Sequence, residues 1–216
     1  MSKSTAKPAL LMELNPLSQI SEIYHSLRSN IEFSTAKQEA RVLALTSSHR
    51  GEGKTTTAVN LALAYSRSGK KVLLVDADLR NPSLHSILDQ PRREGLSNYL
   101  LDQSAIWDVI KETSYPNLHV ITSGALPANP TELLSSKNLS ELFKELKGTF
   151  DRIIVDSPPL LSAADSQILA SSTDGVVLVI EYAKTPRAQI QKAAKTLEHI
   201  GTPLLGTVIN KSKRKI

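Results

Sequence analysis

The sequence predicts an α/β fold, a three-layer sandwich in which a mostly parallel central sheet lies between two layers of helices. Three observations carry that expectation. Short, continuously apolar runs such as Gly175–Ile180 have the length and composition of strands buried on both faces. Segments with helical apolar spacing separate several of them, the alternation of a parallel sheet covered on both sides. Three of the runs end in residues suited to phosphate or a metal ion, as expected where ligands bind beyond the carboxyl ends of the strands.

Residues 1–16 are polar, interrupted by Pro8 and Pro16, and read as a flexible basic arm. From Leu17 onward, Ile20, Ile23, Tyr24, Leu27 and Ile31 recur at helical spacing and mark an amphipathic helix over about residues 17–36. Arg41–Thr46 is a strand, followed by a glycine-containing loop and a helix from Lys54 to Ser68 that Ser68-Gly69-Lys70 stops. Lys71–Asp76 is the second strand. Leu118–Ile121, Arg152–Asp156, Gly175–Ile180 and Leu204–Ile209 are further strands, and residues 137–147, 163–171 and 187–199 are helical. With roughly 150 residues per domain as the usual size, residues 17–210 form one domain and 211–216 a basic tail.

Composition narrows the chemistry. The chain of 216 residues is 40% hydrophobic and 22% charged, a mix that buries a core. It has no cysteine, which excludes a disulfide scaffold, a cysteine nucleophile, a thiolate metal site and an iron–sulfur cluster. No apolar run approaches the roughly 20 residues that cross a bilayer, and Met1–Pro8 lacks the apolar centre of a secretory signal. A soluble cytoplasmic protein is expected. The net charge of +5 gathers at the ends, on Lys3, Lys7, Lys211, Lys213, Arg214 and Lys215; without these six, 20 basic residues face 21 acidic ones. Only 4% of the chain is aromatic, so no stacking platform is visible and no nucleic-acid partner is expected. The basic ends are either solvated tails or a weak address toward an anionic membrane surface or acidic partner.

The first strand runs into Ser48-His49-Arg50-Gly51-Glu52-Gly53-Lys54-Thr55, which matches a phosphate-binding loop except that Ser48 stands in place of its first glycine. Gly51 and Gly53 permit backbone conformations that aim successive N–H groups at phosphate oxygens. The helix that follows adds the positive end of its dipole. Lys54 reaches the β- and γ-phosphates and the Thr55 hydroxyl is placed to ligate magnesium. The second strand ends in Asp76-Ala77-Asp78-Leu79-Arg80, with two carboxylates on one side of an extended segment: one to accept a proton, the other to hold magnesium or its water. Ile153–Pro159 puts Asp156 at the end of another buried strand, the place of a magnesium-anchoring Walker B carboxylate.

On these motifs, together with Ser123–Leu134 and Asp174–Val179, the chain resembles the bacterial protein-tyrosine kinases that act with capsular and exopolysaccharide synthesis systems. Their P-loop NTPase fold is related to the partition and division-site ATPases, and the likeness runs from about Leu17 to Asn210. The resemblance implies transfer of the ATP γ-phosphate to protein tyrosines. ATP would be held by Lys54 and by residues Arg50, Gly51, Glu52, Gly53, Thr55 and Thr56, and magnesium by Thr55, Asp78 and Asp156. Asp76 would be the base, with Asp78 able to exchange roles with it, and Asn210 sits where related ATPases recognise the nucleotide base. Glu22, Arg28 and Asn30 match a subunit-contact motif, which implies a ring of identical chains that phosphorylate in trans. Six residues is not a facing interval on one helix, so Glu22 and Arg28 would pair between subunits. A transmembrane activator, a polysaccharide co-polymerase docking through its cytoplasmic tail, would bring the kinase to the inner face of the plasma membrane.

Three departures stand out. His25 replaces the motif's usual arginine, Arg50 stands where proline is common, and the chain ends Asn210–Ile216 without the family's tyrosine cluster. Its five tyrosines are Tyr24, Tyr65, Tyr99, Tyr115 and Tyr182. The competing expectation is a dimerising switch ATPase of the partition or division-site type; His49, where those proteins carry a lysine that reaches the partner's phosphate, weighs against it.

Overall fold

The computed structural model describes residues 9–36 and 40–212. After a short turn of helix, α1 (Leu11–Leu14), comes α2 (Gln19–Ser34), then β1 (Val42–Ser47), α3 (Lys54–Arg67) and β2 (Val72–Asp76). Next follow α4 (Leu84–Ile87), α5 (Leu96–Leu100), α6 (Ile106–Val109), β3 (Ile110–Glu112) and β4 (Leu118–Ile121). The chain continues through α7 (Pro130–Leu134), α8 (Lys137–Leu146), β5 (Arg152–Asp156), α9 (Ala164–Ser171), β6 (Gly175–Glu181), α10 (Arg187–His199) and β7 (Leu204–Asn210).

One seven-stranded sheet runs in the order β3-β4-β2-β5-β1-β6-β7, parallel throughout except for β3 at the edge. β1, β2 and β5 are buried along nearly their whole length, as their uninterrupted apolar runs require. Leu43, Leu45, Leu74 and Ile154 pack under α1, α2 and α3 on one face. Val42, Leu73, Val75, Ile153 and Val155 pack under α5 to α8 on the other, and Ala44, Val176 and Leu178 meet the apolar side of α9 and α10. The expected three-layer sandwich is the observed one.

Register brings the site together. β5 lies between β1 and β2, so Asp156 pairs across with Asp76 on one side and with Leu45 on the other. The loop leaving β1 therefore emerges beside both acidic strand ends.

Two differences from the sequence expectation change how the N-terminal region sits. Helix α2 begins at Gln19 rather than Leu17, because the Ser18 hydroxyl accepts the N–H of Ser21 as an N-cap, which leaves Leu17 outside and exposed. The arm expected to be flexible to residue 16 is docked from Ala9 to Leu14: Leu10 and Met12 are buried, Met12 N–H donates to Asn60 Oδ1, and Asn60 Nδ2 donates to Ala9 O. Residues 1–8, the rest of that arm, and the tail from 213 onward lie outside the described residues.

Candidate active site

The loop 48–55 is shaped by two residues in the left-handed region, Gly51 at φ 83° and Gly53 at φ 97°. At Gly53 a Cβ would come within 1.9 Å of Asn210 Nδ2, so space and backbone both demand glycine there. Ser48 does not share the positive φ and takes the place of glycine without strain. Gly53 is the N-cap of α3, and the free N–H groups of that helix's first turn open toward the strand ends.

Five side chains converge here. Lys54 Nζ lies 3.1 Å from Asp78 Oδ2 and 3.4 Å from Asp156 Oδ1, and the Thr55 hydroxyl donates to Asp156 Oδ2 at 2.6 Å. Burial alone would lower the Lys54 ammonium, but Asp156 and Asp78 outweigh it and hold it above the usual lysine range. Asp78 Oδ1 accepts the N–H of Asn81. Asp76, fully buried, accepts the N–H groups of Ser83 and Leu84 on Oδ2, each at 3.0 Å, while its Oδ1 has no partner. Burial first, and the neighbouring Asp156 second, push its carboxyl up to about 7.

These residues fit a magnesium nucleotide. The oxygen donors of Thr55, Asp78 and Asp156 are hard, the kind that magnesium takes. Among the described residues no group of three or more His, Cys, Asp or Glu is arranged to hold a metal by itself. Magnesium takes one or two carboxylates and completes its shell with water and substrate phosphate.

Other expected site residues have different surroundings. The Glu52 carboxylate turns into the loop, accepting the His49 N–H on Oε2 at 2.9 Å and the Thr185 hydroxyl on Oε1, so only its main chain belongs to the cradle. Asn210 braces the loop: its Nδ2 donates to Glu52 O at 2.9 Å and its Oδ1 accepts the Lys211 N–H, leaving one N–H and one lone pair of the amide unused. Thr56 lies in the first turn of α3, its carbonyl accepting from Asn60. The Arg50 side chain lines an adjoining cleft whose wall includes Asp78. Glu22, Arg28 and Asn30 are on α2, outside the cluster, and Arg28 pairs with Glu32 of its own helix at 2.9 Å.

Sequence reasoning missed two supports. Lys211, expected in the tail, ties the loop to the sheet, its ammonium donating to Gly51 O at 2.7 Å and Glu181 Oε2 at 2.9 Å. Asp165 on α9 binds Arg80 through both oxygens, at 2.6 and 3.2 Å, and accepts the Thr131 hydroxyl. Burial would raise this carboxyl, but the hydrogen bonds from Arg80 and Thr131 prevail and hold it below the usual range. Arg80 and Thr131 lie within recognisable motifs; Asp165 looks in sequence like any acid in a helix's first turn.

The AAA domain family matches residues 40–205. The tyrosine-protein kinase YwqD of Bacillus subtilis (strain 168) is 43% identical over 198 residues, covering 92% of this chain and 84% of that protein. Among solved structures, the chimerical protein CapA2B2 superposes with a TM-score of 0.91 at 36% identity, over 95% of this chain and 91% of that one. The kinase domain of the Escherichia coli tyrosine kinase Etk gives 0.90 at 28% identity, over 96% and 82%. A sequence likeness of this depth, extending over the phosphate loop and all three acidic strand ends, makes the chain a member of the AAA-domain family and, within it, of the bacterial tyrosine-protein kinases.

Proposed function

We propose that the chain transfers the γ-phosphate of ATP to tyrosine hydroxyls of proteins, with Asp76 Oδ1 as the proton acceptor, and that it serves the control of exopolysaccharide or capsule synthesis. One observation carries the assignment of the base. Of the six carboxylate oxygens of Asp76, Asp78 and Asp156, Asp76 Oδ1 alone lacks a hydrogen-bond partner. A base needs that free lone pair.

The remaining residues divide the work. The amides of residues 51–56 would hold the phosphates, and Lys54 would exchange Asp78 and Asp156 for β- and γ-phosphate oxygens. Thr55, Asp78 and Asp156 would then hold magnesium, which supplies positive charge to the phosphate oxygens as transfer proceeds. The tyrosine proton passes to Asp76, the phenolic oxygen bonds to the γ-phosphorus, and the bond to the bridging oxygen breaks, its electron pair leaving with ADP. A phenol with a pKa near 10 is a weak nucleophile at neutral pH, so placement beside Asp76 matters more than intrinsic reactivity.

The test is incubation with ATP, magnesium and a tyrosine peptide. Phosphotyrosine is expected; ATP hydrolysis without it would favour the switch ATPase. In the chain itself Tyr24 and Tyr65 are buried, and burial pushes both hydroxyls up to about 12. Mass spectrometry should therefore find any self-phosphorylation on Tyr99, Tyr115 and Tyr182, and none on the buried pair while the protein is folded.

The family likeness also supports a ring of identical subunits and a transmembrane partner whose cytoplasmic tail places the kinase at the inner membrane face. Among the described residues no helix is long and apolar enough to cross a membrane. A ring contact from Glu22 of one copy to Arg28 of the next would replace the Arg28–Glu32 pair, a surface interaction of about 0.3–0.5 kcal/mol that is easily exchanged. Arg28→Ala should move the mass measured by light scattering toward monomer, with the melting temperature nearly unchanged.

A further inference from the structure

Arg50 closes one side of a cleft of about 360 Å³, whose other walls are Asp78, Arg80, Pro158, Pro159 and the turn at residues 162–164. One charged side chain of the cleft has no direct partner. Asp78 shares the Lys54 ammonium with Asp156, and Arg80 is held by both oxygens of Asp165. Arg50 is exposed and, among the described residues, has neither a hydrogen bond nor an ion pair. Its main chain is nonetheless fixed, because the next two residues are pinned: Gly51 by Lys211, Glu52 by His49, Thr185 and Asn210. The result is an uncompensated guanidinium on a rigid loop.

The cleft shares Asp78 with the cluster around Lys54. The acceptor must approach the γ-phosphate roughly opposite the leaving oxygen, so it enters from outside the amide cradle. The cleft lies beside that path, and Asp76, the proposed proton acceptor, is not among its walls, so it takes a residue flanking the acceptor tyrosine and not the tyrosine itself. Granting the kinase reading above, we infer that Arg50 is a specificity-determining residue: it pairs with an acidic residue next to the acceptor tyrosine, so that the substrates are acidic tyrosine segments, and it does not hold ATP phosphate. Fork-shaped pairing of guanidinium with carboxylate gives this contact its direction, and its partial exposure keeps it modest.

The experiment uses the full chain with ATP and magnesium and two tyrosine peptides of equal length, one with glutamate on both sides of the tyrosine, the other with glutamine. The wild type should prefer the glutamate peptide. Arg50→Ala should raise KM for that peptide about three- to tenfold and bring the KM ratio of the two peptides toward one, with kcat and the KM for ATP held. Arg50→Glu should invert the preference and Arg50→Lys restore part of it. An equal effect on both peptides, or a raised KM for ATP, overturns the inference; the latter makes Arg50 a phosphate contact. If neither peptide gains phosphate from any variant while ATP is hydrolysed, the kinase reading falls and the inference with it.

Discussion

Lys54→Met is expected to reduce phosphoryl transfer by at least about 10²–10³-fold, the usual cost of losing one aligned donor to charge that develops in the transition state. Methionine keeps the length of the side chain and removes the ammonium, so the β- and γ-phosphates lose their one mobile cation. The variant also disturbs the resting protein. Asp78 and Asp156 both face Lys54 at 3.1 and 3.4 Å with little solvent access, and breaking a buried pair costs about 3–5 kcal/mol where nothing else supports the carboxylates. Here the Asn81 N–H and the Thr55 hydroxyl remain, and a smaller loss is expected. Phosphotyrosine formation and thermal melting should be measured together. A folded Lys54→Met protein with wild-type transfer would remove the phosphate loop from the mechanism.

The division between what the sequence revealed and what it concealed is physical. β1, β2, β5 and β6 are buried on both faces, so each is written as an unbroken apolar run, and their order of appearance with α3, α8, α9 and α10 implies the parallel sheet. Lys54, Thr55, Asp76, Asp78 and Asp156 follow because a phosphate site needs those residue types where a strand ends. The hidden parts depend on isolated long-range contacts. Leu10 and Met12 are too few to set a period, and their docking rests on Asn60, roughly fifty residues further along the chain. β3 has three residues, half-buried or exposed, and leaves no alternation to read. Lys211 stands in a basic run and differs from its neighbours only by meeting Glu181 and Gly51. The phosphate-loop motif implicates Glu52 in nucleotide binding and the family resemblance implicates Asn210; in the structure the Glu52 carboxylate and one N–H of the Asn210 amide brace the loop.

Asp76→Asn is expected to lower transfer by about 10²–10⁴-fold, the range assigned to a positioned general base, while ATP affinity stays within about twofold. The substitution is nearly isosteric, and the amide oxygen can still accept the N–H groups of Ser83 and Leu84, so the start of α4 is preserved. What changes is the other atom: the unpartnered Oδ1 becomes an N–H₂ with no lone pair to take the phenolic proton. Asp78→Asn is the matching control. Asp78 faces Lys54 directly, so its loss should weaken magnesium-dependent nucleotide binding as well as transfer. Nucleotide titration with and without magnesium, beside single-turnover phosphotyrosine formation, separates the two carboxylates. If Asp78→Asn abolishes transfer with binding intact while Asp76→Asn disrupts binding, the base is Asp78, and the free oxygen of Asp76 belongs to the metal's surroundings.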